Sequence, residues 1–183
     1  MKFEIVKLHR LCGKRATVYS VILHDEEQTL FERFVIENRN DYQAELADLR
    51  NQIEVIATKT GIRENFFDKP EGKFGQDIWA LYDKRGRRLR LYCMQLGHVV
   101  IILGGGGPKT TRTLQEDPKL KLENELMRMV SDALTARIKE KDVTWSADGT
   151  EPVSYTHLCY RSADILLHAI CFWKTQHCAF PKS

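Results

Sequence analysis

The chain has 183 residues, 43% of them hydrophobic and 29% charged, with a formal net charge of +3. That is enough for one domain with a real core, and the composition is ordinary for a globular protein. It excludes collagen-like, heptad-dominated and low-complexity classes, and the longest apolar runs fall short of the roughly 20 residues that span a bilayer.

The first seven residues alternate charged and apolar side chains without the continuous apolar stretch of a secretory leader, so a cytoplasmic protein is expected. Residues 3–8 and 16–23 read as two strands of a hairpin, turning through Cys12, Gly13 and Lys14. The second run, Thr17 to Leu23, is rich in β-branched and aromatic residues. Asp25 is placed to cap a helix with Leu30, Phe31, Phe34 and Val35 on one face. Asp41 is placed to cap a second helix, in which Tyr42, Leu46, Leu49, Ile53 and Ile56 recur at helical spacing before Gly61 stops it. Two such helices form an αα-hairpin that needs a sheet to cover. Residues 76–82, 89–95 and 99–103 supply it as an antiparallel meander, with turns at 83–86 and 96–98. Between helix and meander, 66–75 reads as a loop whose aromatics tuck against the core. After the glycines at 104–107, Asp117 and Pro118 start a helix to about residue 141. Leu122, Leu126, Met129, Val130, Ala133, Leu134 and Ile138 mark its core face. The expected class is α/β (α+β), with an antiparallel meander sheet packed by an N-terminal αα-hairpin and a C-terminal helix.

Charge is unevenly spread. Residues 1–58 carry 8 Lys/Arg against 10 Asp/Glu, residues 113–151 carry 6 against 9, and residues 59–112 carry 11 against 5. A polyanion would be met by that middle segment, including Lys73, Lys84, Arg87 and Arg88. On a strand Arg88, Arg90 and Tyr92 share one face, and the two guanidinium groups, about 7 Å apart, approximate the phosphate spacing of an extended nucleic-acid strand. Arg also offers phosphate a bidentate fork. The run Gly104 to Gly107, followed by Pro108, Lys109 and, further on, Arg112, invites a phosphate-loop reading. That reading requires glycine at 103 and 108, where Leu103 and Pro108 stand. A flexible connection from sheet to helix is the plainer alternative. His9, His24 and His98 share no metal-ligand spacing, and neither a metal nor a cofactor is expected. Cys12 and Cys93 read as reduced, small core residues.

The order of elements, with Ile78 to Tyr82, Leu89 to Cys93 and the Val100 to Lys109 stretch, resembles the RelE/ParE toxin superfamily, most closely its RelE/HigB-like members. The resemblance covers roughly residues 26–142 and is strongest over 75–120. It implies a small α/β toxin of a type II toxin–antitoxin system, held by a cognate antitoxin. The toxin would act as a metal-independent endoribonuclease that cuts mRNA on the ribosome and stops translation. It implies Arg90, Lys109 and Arg112 as the catalytic cations, with Arg88, Lys73, Lys84, Arg87 and Tyr92 contacting RNA. The sequence departs from the family at Asp77 to Leu81, where RelE-like members carry lysines, and no Tyr or His follows in the last helix; Tyr82, Tyr92 or Lys73 are the substitutes for a general acid or base. A ParE-like toxin that binds DNA gyrase, or a non-catalytic basic module for RNA or the ribosome, stays open beside it. The expected toxin domain is 1–151. From Val153 to Leu158 the chain resembles one reading frame of a transposon mosaic-end adapter. Residues 152–183 are therefore expected to be a non-native or disordered tail.

Overall fold

The computed structural model describes residues 2–68, 78–81, 88–110, 116–147, 149 and 152–154. Strands β1 (Phe3–Lys7) and β2 (Thr17–Leu23) form the expected antiparallel hairpin, with Phe3 opposite Leu23 and Lys7 opposite Tyr19. Helices α1 (Leu30–Asn38) and α2 (Gln43–Val55) follow. Then come β3 (Ile78–Ala80), β4 (Leu89–Leu96) and β5 (Val100–Pro108), helix α3 (Pro118–Lys139), and a short antiparallel pair, β6 (Val143–Trp145) and β7 (Pro152–Ser154). Among the described residues no helix is long and apolar enough to cross a membrane.

The meander is present, but the sheet is larger than the meander. β2 pairs in parallel with β5, Thr17 opposite Val100 and Ser20 opposite Leu103, giving one five-stranded mixed sheet in the order β1-β2-β5-β4-β3. Helices cover both faces, so the inner strands are buried on both sides instead of alternating buried and wet. Val18, Leu89, Leu91, Cys93, Ile101 and Leu103 join Phe31, Phe34, Leu46, Leu49, Ile53 and Ile56 under α1 and α2. Tyr19, Val21, Tyr92, Met94, Val100 and Ile102 meet Leu120, Met127, Val130 and Leu134 of α3 on the other face. Phe67 is buried in the first of these cores and Phe66 packs against it.

Several boundaries move from their expected places. α1 is capped by Thr29, not Asp25: its hydroxyl accepts from Glu32 N–H while the Glu32 carboxylate accepts from Thr29 N–H, a capping box. α2 begins after Tyr42 without the side-chain cap expected from Asp41. It continues through a π-turn at Ile56–Thr60 and stops at Gly61, whose φ of 70° suits glycine. On α3 the core register runs through Leu120, Met127, Val130 and Leu134, while Leu122 and Met129, expected inside, are 61% and 52% exposed.

The largest correction concerns the glycines. Gly104 to Gly107 are not a loop; they lie within β5 and are buried. A bulge sits there, since Leu91 pairs with Gly106 and Cys93 with Leu103, so Tyr92 faces two residues of β5. α3 lies so close that a Cβ on Gly104 would strike Met127 and one on Gly105 would strike the Glu123 carboxylate. At Gly106 the obstacle would be the Arg90 carbonyl. At these three positions helix and neighbouring strand leave no room for a side chain, while at Gly107 a Cβ would make only ordinary contact with Lys119 and Leu120.

α1 flanks the part of β5 that β2 leaves uncovered. Ser20 Oγ donates to Leu103 O and accepts from Phe31 N–H, which pins the start of α1 at that point. From there Arg33 reaches across to Glu123 of α3, at 3.1 Å from both carboxylate oxygens, and also pairs with Glu26 at 2.9 Å. Lys119 Nζ meets Glu123 at 2.9 Å and Glu37 at 3.0 Å. Burial pulls the Lys119 pKa down, but hydrogen bonds and charge from Glu123 and Glu37 outweigh it and hold the ammonium above its ordinary value.

Candidate nucleic-acid interface

The start of β4 and the end of β5 form one edge-to-edge corner of the sheet. Leu89 pairs with Pro108, Arg90 with Gly107, and Lys109 N–H donates to Arg88 O at 2.7 Å. Arg88 and Lys109 are therefore cross-strand neighbours, within about 5.5 Å at the backbone. Both are exposed, and no ion pair engages either side chain among the described residues. The Glu45 carboxylate from the first turn of α2 fixes this corner from behind. One of its oxygens accepts from both Arg88 N–H and Leu89 N–H at 2.7 Å, satisfying donors that begin the strand.

From the other side the corner is fixed by the start of α3. Asp117 is the N-cap; its carboxylate accepts from Leu120 N–H at 3.1 Å and from the Thr110 hydroxyl at 3.0 Å. Burial alone would raise the Asp117 pKa. Hydrogen bonds from Leu120, from Thr110 and from Lys119 N–H overcome that and hold the carboxyl below its ordinary value. The residue just after Lys109 is thus tied to the helix start, so Lys109 projects from an anchored segment.

Arg90 sits two residues further along β4. The alternation expected from the sequence holds here: Leu89, Leu91 and Cys93 go to the α1–α2 core, and Tyr92 goes to the α3 core. Arg90 is not open like Arg88. Its side chain is 15% exposed and its Nη2 lies 3.0 Å from Asp68 Oδ2. Asp68 is itself held by its N–H donating to Ala80 O. A guanidinium in this setting is pre-positioned, with a carboxylate as its resting partner.

The sequence-derived site residues divide accordingly. Arg88, Arg90 and Lys109 are brought to one corner. Tyr92 is fully buried in the α3 core and offers no ring to a base, which corrects its expected role as an RNA contact. Lys73, Lys84, Arg87 and Arg112, together with Tyr82, lie outside the described residues, as do residues 155–183 of the expected tail. β7 is paired with β6, so ordered pairing crosses the expected boundary at 151. Cys12 and Cys93 form no disulfide, and burial pushes the Cys93 thiol far up, which leaves it unreactive. Asp117 stands in the sequence as the start of the last helix, though its hold on Thr110 is not announced there, and Asp68 and Glu45 are not singled out. Only Asp117 carries a local signal, the Pro that follows it; the other two act through contacts 22 and 43 residues away. Comparison with models of protein families, with curated proteins and with solved structures finds no match.

Proposed function

We propose that the protein is the toxin of a type II toxin–antitoxin system, a RelE/ParE-like endoribonuclease that cuts mRNA on the ribosome and so inhibits translation. The observation that supports it is the gathering of Arg88, Arg90 and Lys109 at one anchored corner of the sheet. In such a cleavage the 2′-hydroxyl of one nucleotide attacks the adjacent phosphorus and the 5′-oxygen of the next leaves, giving a cyclic phosphate and a free 5′-hydroxyl. Arg90 stabilises the negative charge that develops on the phosphate oxygens once it exchanges Asp68 for the phosphate. Arg88 and Lys109 hold the flanking backbone. The partners are the mRNA on its ribosome and a cognate antitoxin whose acidic surface covers the same corner.

A second reading, binding without cleavage, is favoured by two specific observations. Arg90 is already paired with Asp68, and Tyr92 is buried and unable to serve as an acid or base at the surface. It takes the form of a ParE-like gyrase-binding toxin or a basic RNA- or ribosome-binding module.

The two are separated by inducing the protein without antitoxin and following growth together with message cleavage on ribosomes. Cleavage is expected from the parent and lost by roughly a hundredfold or more in Arg90→Ala. Arg90→Lys restores little, because it lacks the fork, and Asp68→Asn keeps activity. Growth arrest without any cleavage supports the second reading. Cleavage by Arg90→Ala equal to the parent, at equal soluble protein, removes Arg90 from the mechanism.

A further inference from the structure

At the opposite end of β4, and on the α1–α2 face of the sheet, a cleft of about 320 Å³ is lined by Ile62, Arg63, Glu64, Trp79, Gln95 and His98. Three segments build it, and each is pinned to the next. Trp79 of β3 pairs with Cys93, and Gln95 lies two residues further on the same face of β4. Gly97, at φ 61°, reverses the chain and places His98, whose carbonyl accepts from Ile62 N–H and so draws the segment after α2 to the turn. Arg63 and Glu64 then stand at the rim, both exposed.

Two features distinguish this cleft from an ordinary surface hollow. Among the described residues the Gln95 Nε2 is buried without a hydrogen-bond partner, a donor whose desolvation no group there offsets. Beside it Trp79 is only half-buried, with its ring tilted against Phe67 at 6.1 Å. An aromatic surface, an unsatisfied amide donor and a rim with a guanidinium and an imidazole match the parts of a nucleotide. A base stacks on an indole, a base carbonyl accepts from an amide, and a phosphate takes a cation. The volume lies at the low end of the roughly 300–1,000 Å³ typical of ligand pockets, which suits one nucleotide and no larger cofactor.

We propose that this cleft binds a single nucleotide, with the base against Trp79, a base carbonyl accepting from Gln95 Nε2, and the phosphate met by Arg63 and His98. Glu64 at the rim accepts from an exocyclic amine. A free ribonucleoside monophosphate and one nucleotide of an RNA strand present the same chemistry. The RNA source rests on the reading proposed above; the monophosphate source does not. Along β4 the cleft is roughly 20 Å from Arg88, so a strand reaching both would be contacted at two separate points.

The full chain is titrated with each of the four ribonucleoside monophosphates and with a short single-stranded RNA, by calorimetry and by tryptophan fluorescence with Trp79→Phe as reference. Saturable binding of at least one monophosphate is expected, weakened about tenfold in Gln95→Leu and in Gln95→Glu. Arg63→Ala should weaken it more at low than at high salt. The double variant Arg88→Ala, Lys109→Ala should leave monophosphate binding unchanged, whatever its effect on growth arrest, which keeps this site's test apart from that of the basic corner. If that double variant loses RNA affinity and Gln95→Leu also loses it, the cleft takes a nucleotide within a strand; RNA affinity unaffected by Gln95→Leu limits it to the free nucleotide. Absence of saturable monophosphate binding overturns the proposal, as does binding unchanged in folded Gln95→Leu and Gln95→Glu.

Discussion

Two charged regions of this protein are built in opposite ways. In the interior, Glu123 is 2% exposed and receives Arg33 and Lys119, which are themselves paired with Glu26 and Glu37. At the sheet corner, Arg88 and Lys109 stand in solvent while their backbone groups carry the structure. The first region spends its charges on each other and closes α1 onto α3 over a strand of glycines. The second keeps its charges available and is held in shape by neutral and acidic groups behind it: Glu45, Asp117 and Thr110. Arg90, paired with Asp68, is intermediate between them. The difference teaches that arginine and lysine content alone does not locate an interface; what the side chain is already doing decides it.

The contrast is broken most severely at Glu123. Glu123→Ala removes the shared carboxylate of Arg33 and Lys119, which stay partly exposed and keep Glu26 and Glu37, so the loss is about 1.5–3 kcal/mol, that of hydrogen bonds to a charged group. Denaturant unfolding should show the midpoint falling accordingly. Glu123→Gln should recover part of the loss, because an amide oxygen still accepts from Arg33. A loss under about 1 kcal/mol for Glu123→Ala would mean that the interior network is as dispensable as a surface ion pair.

A smaller effect is expected where the corner is anchored. Asp117→Ala removes the cap of α3 and the partner of Thr110, and should cost about 1 kcal/mol. The sign of its pH dependence follows from a folded-state pKa below the ordinary carboxylate value near 3.9. The contribution is complete at neutral pH and is lost as pH falls below about 4 and through the lowered folded value. The stability gap between the parent and Asp117→Ala should therefore be constant from pH 7 to 5 and narrow in acid. A gap independent of pH down to 2 would show that the cap acts without its charge.

Much of this frame is legible in the sequence because it is local. The β-branched run of β2, the alternation of β4 and the Asp117–Pro118 start each carry their own signal, as does the 4, 3, 4, 3 spacing on α2. So does the cap of α1, since Thr29 and Glu32 stand at capping-box spacing; Asp25 merely offers a competing cap four residues earlier. The glycine strand is not legible. Four glycines read as a flexible connection, and the obstacles that require three of them, Met127, Glu123 and the Arg90 carbonyl, are remote in the chain. On α3 the expected Leu126, Val130, Ala133, Leu134 and Ile138 reach the core, but Leu122 and Met129 do not: they share a spacing with Leu120 and Met127, and only the sheet chooses between the two pairs. At the candidate site, the gathering of Arg88, Arg90 and Lys109 follows from strand pairing, whereas the Asp68 partner of Arg90 comes from a distant loop and had no pattern to announce it.

On the proposed function, the exposed corner exists for a phosphate backbone and not for stability. The measurement that tests it most directly is the salt dependence of RNA binding by the parent and by the double variant Arg88→Ala, Lys109→Ala, with unfolding followed in parallel. The account predicts stability within about 0.5 kcal/mol of the parent. It also predicts RNA affinity reduced at low salt and a slope of log K against log salt shallower by roughly 1.4, about 0.7 for each cation removed from a single strand. Unchanged affinity and slope, or a loss of stability that explains the loss of binding, would contradict it.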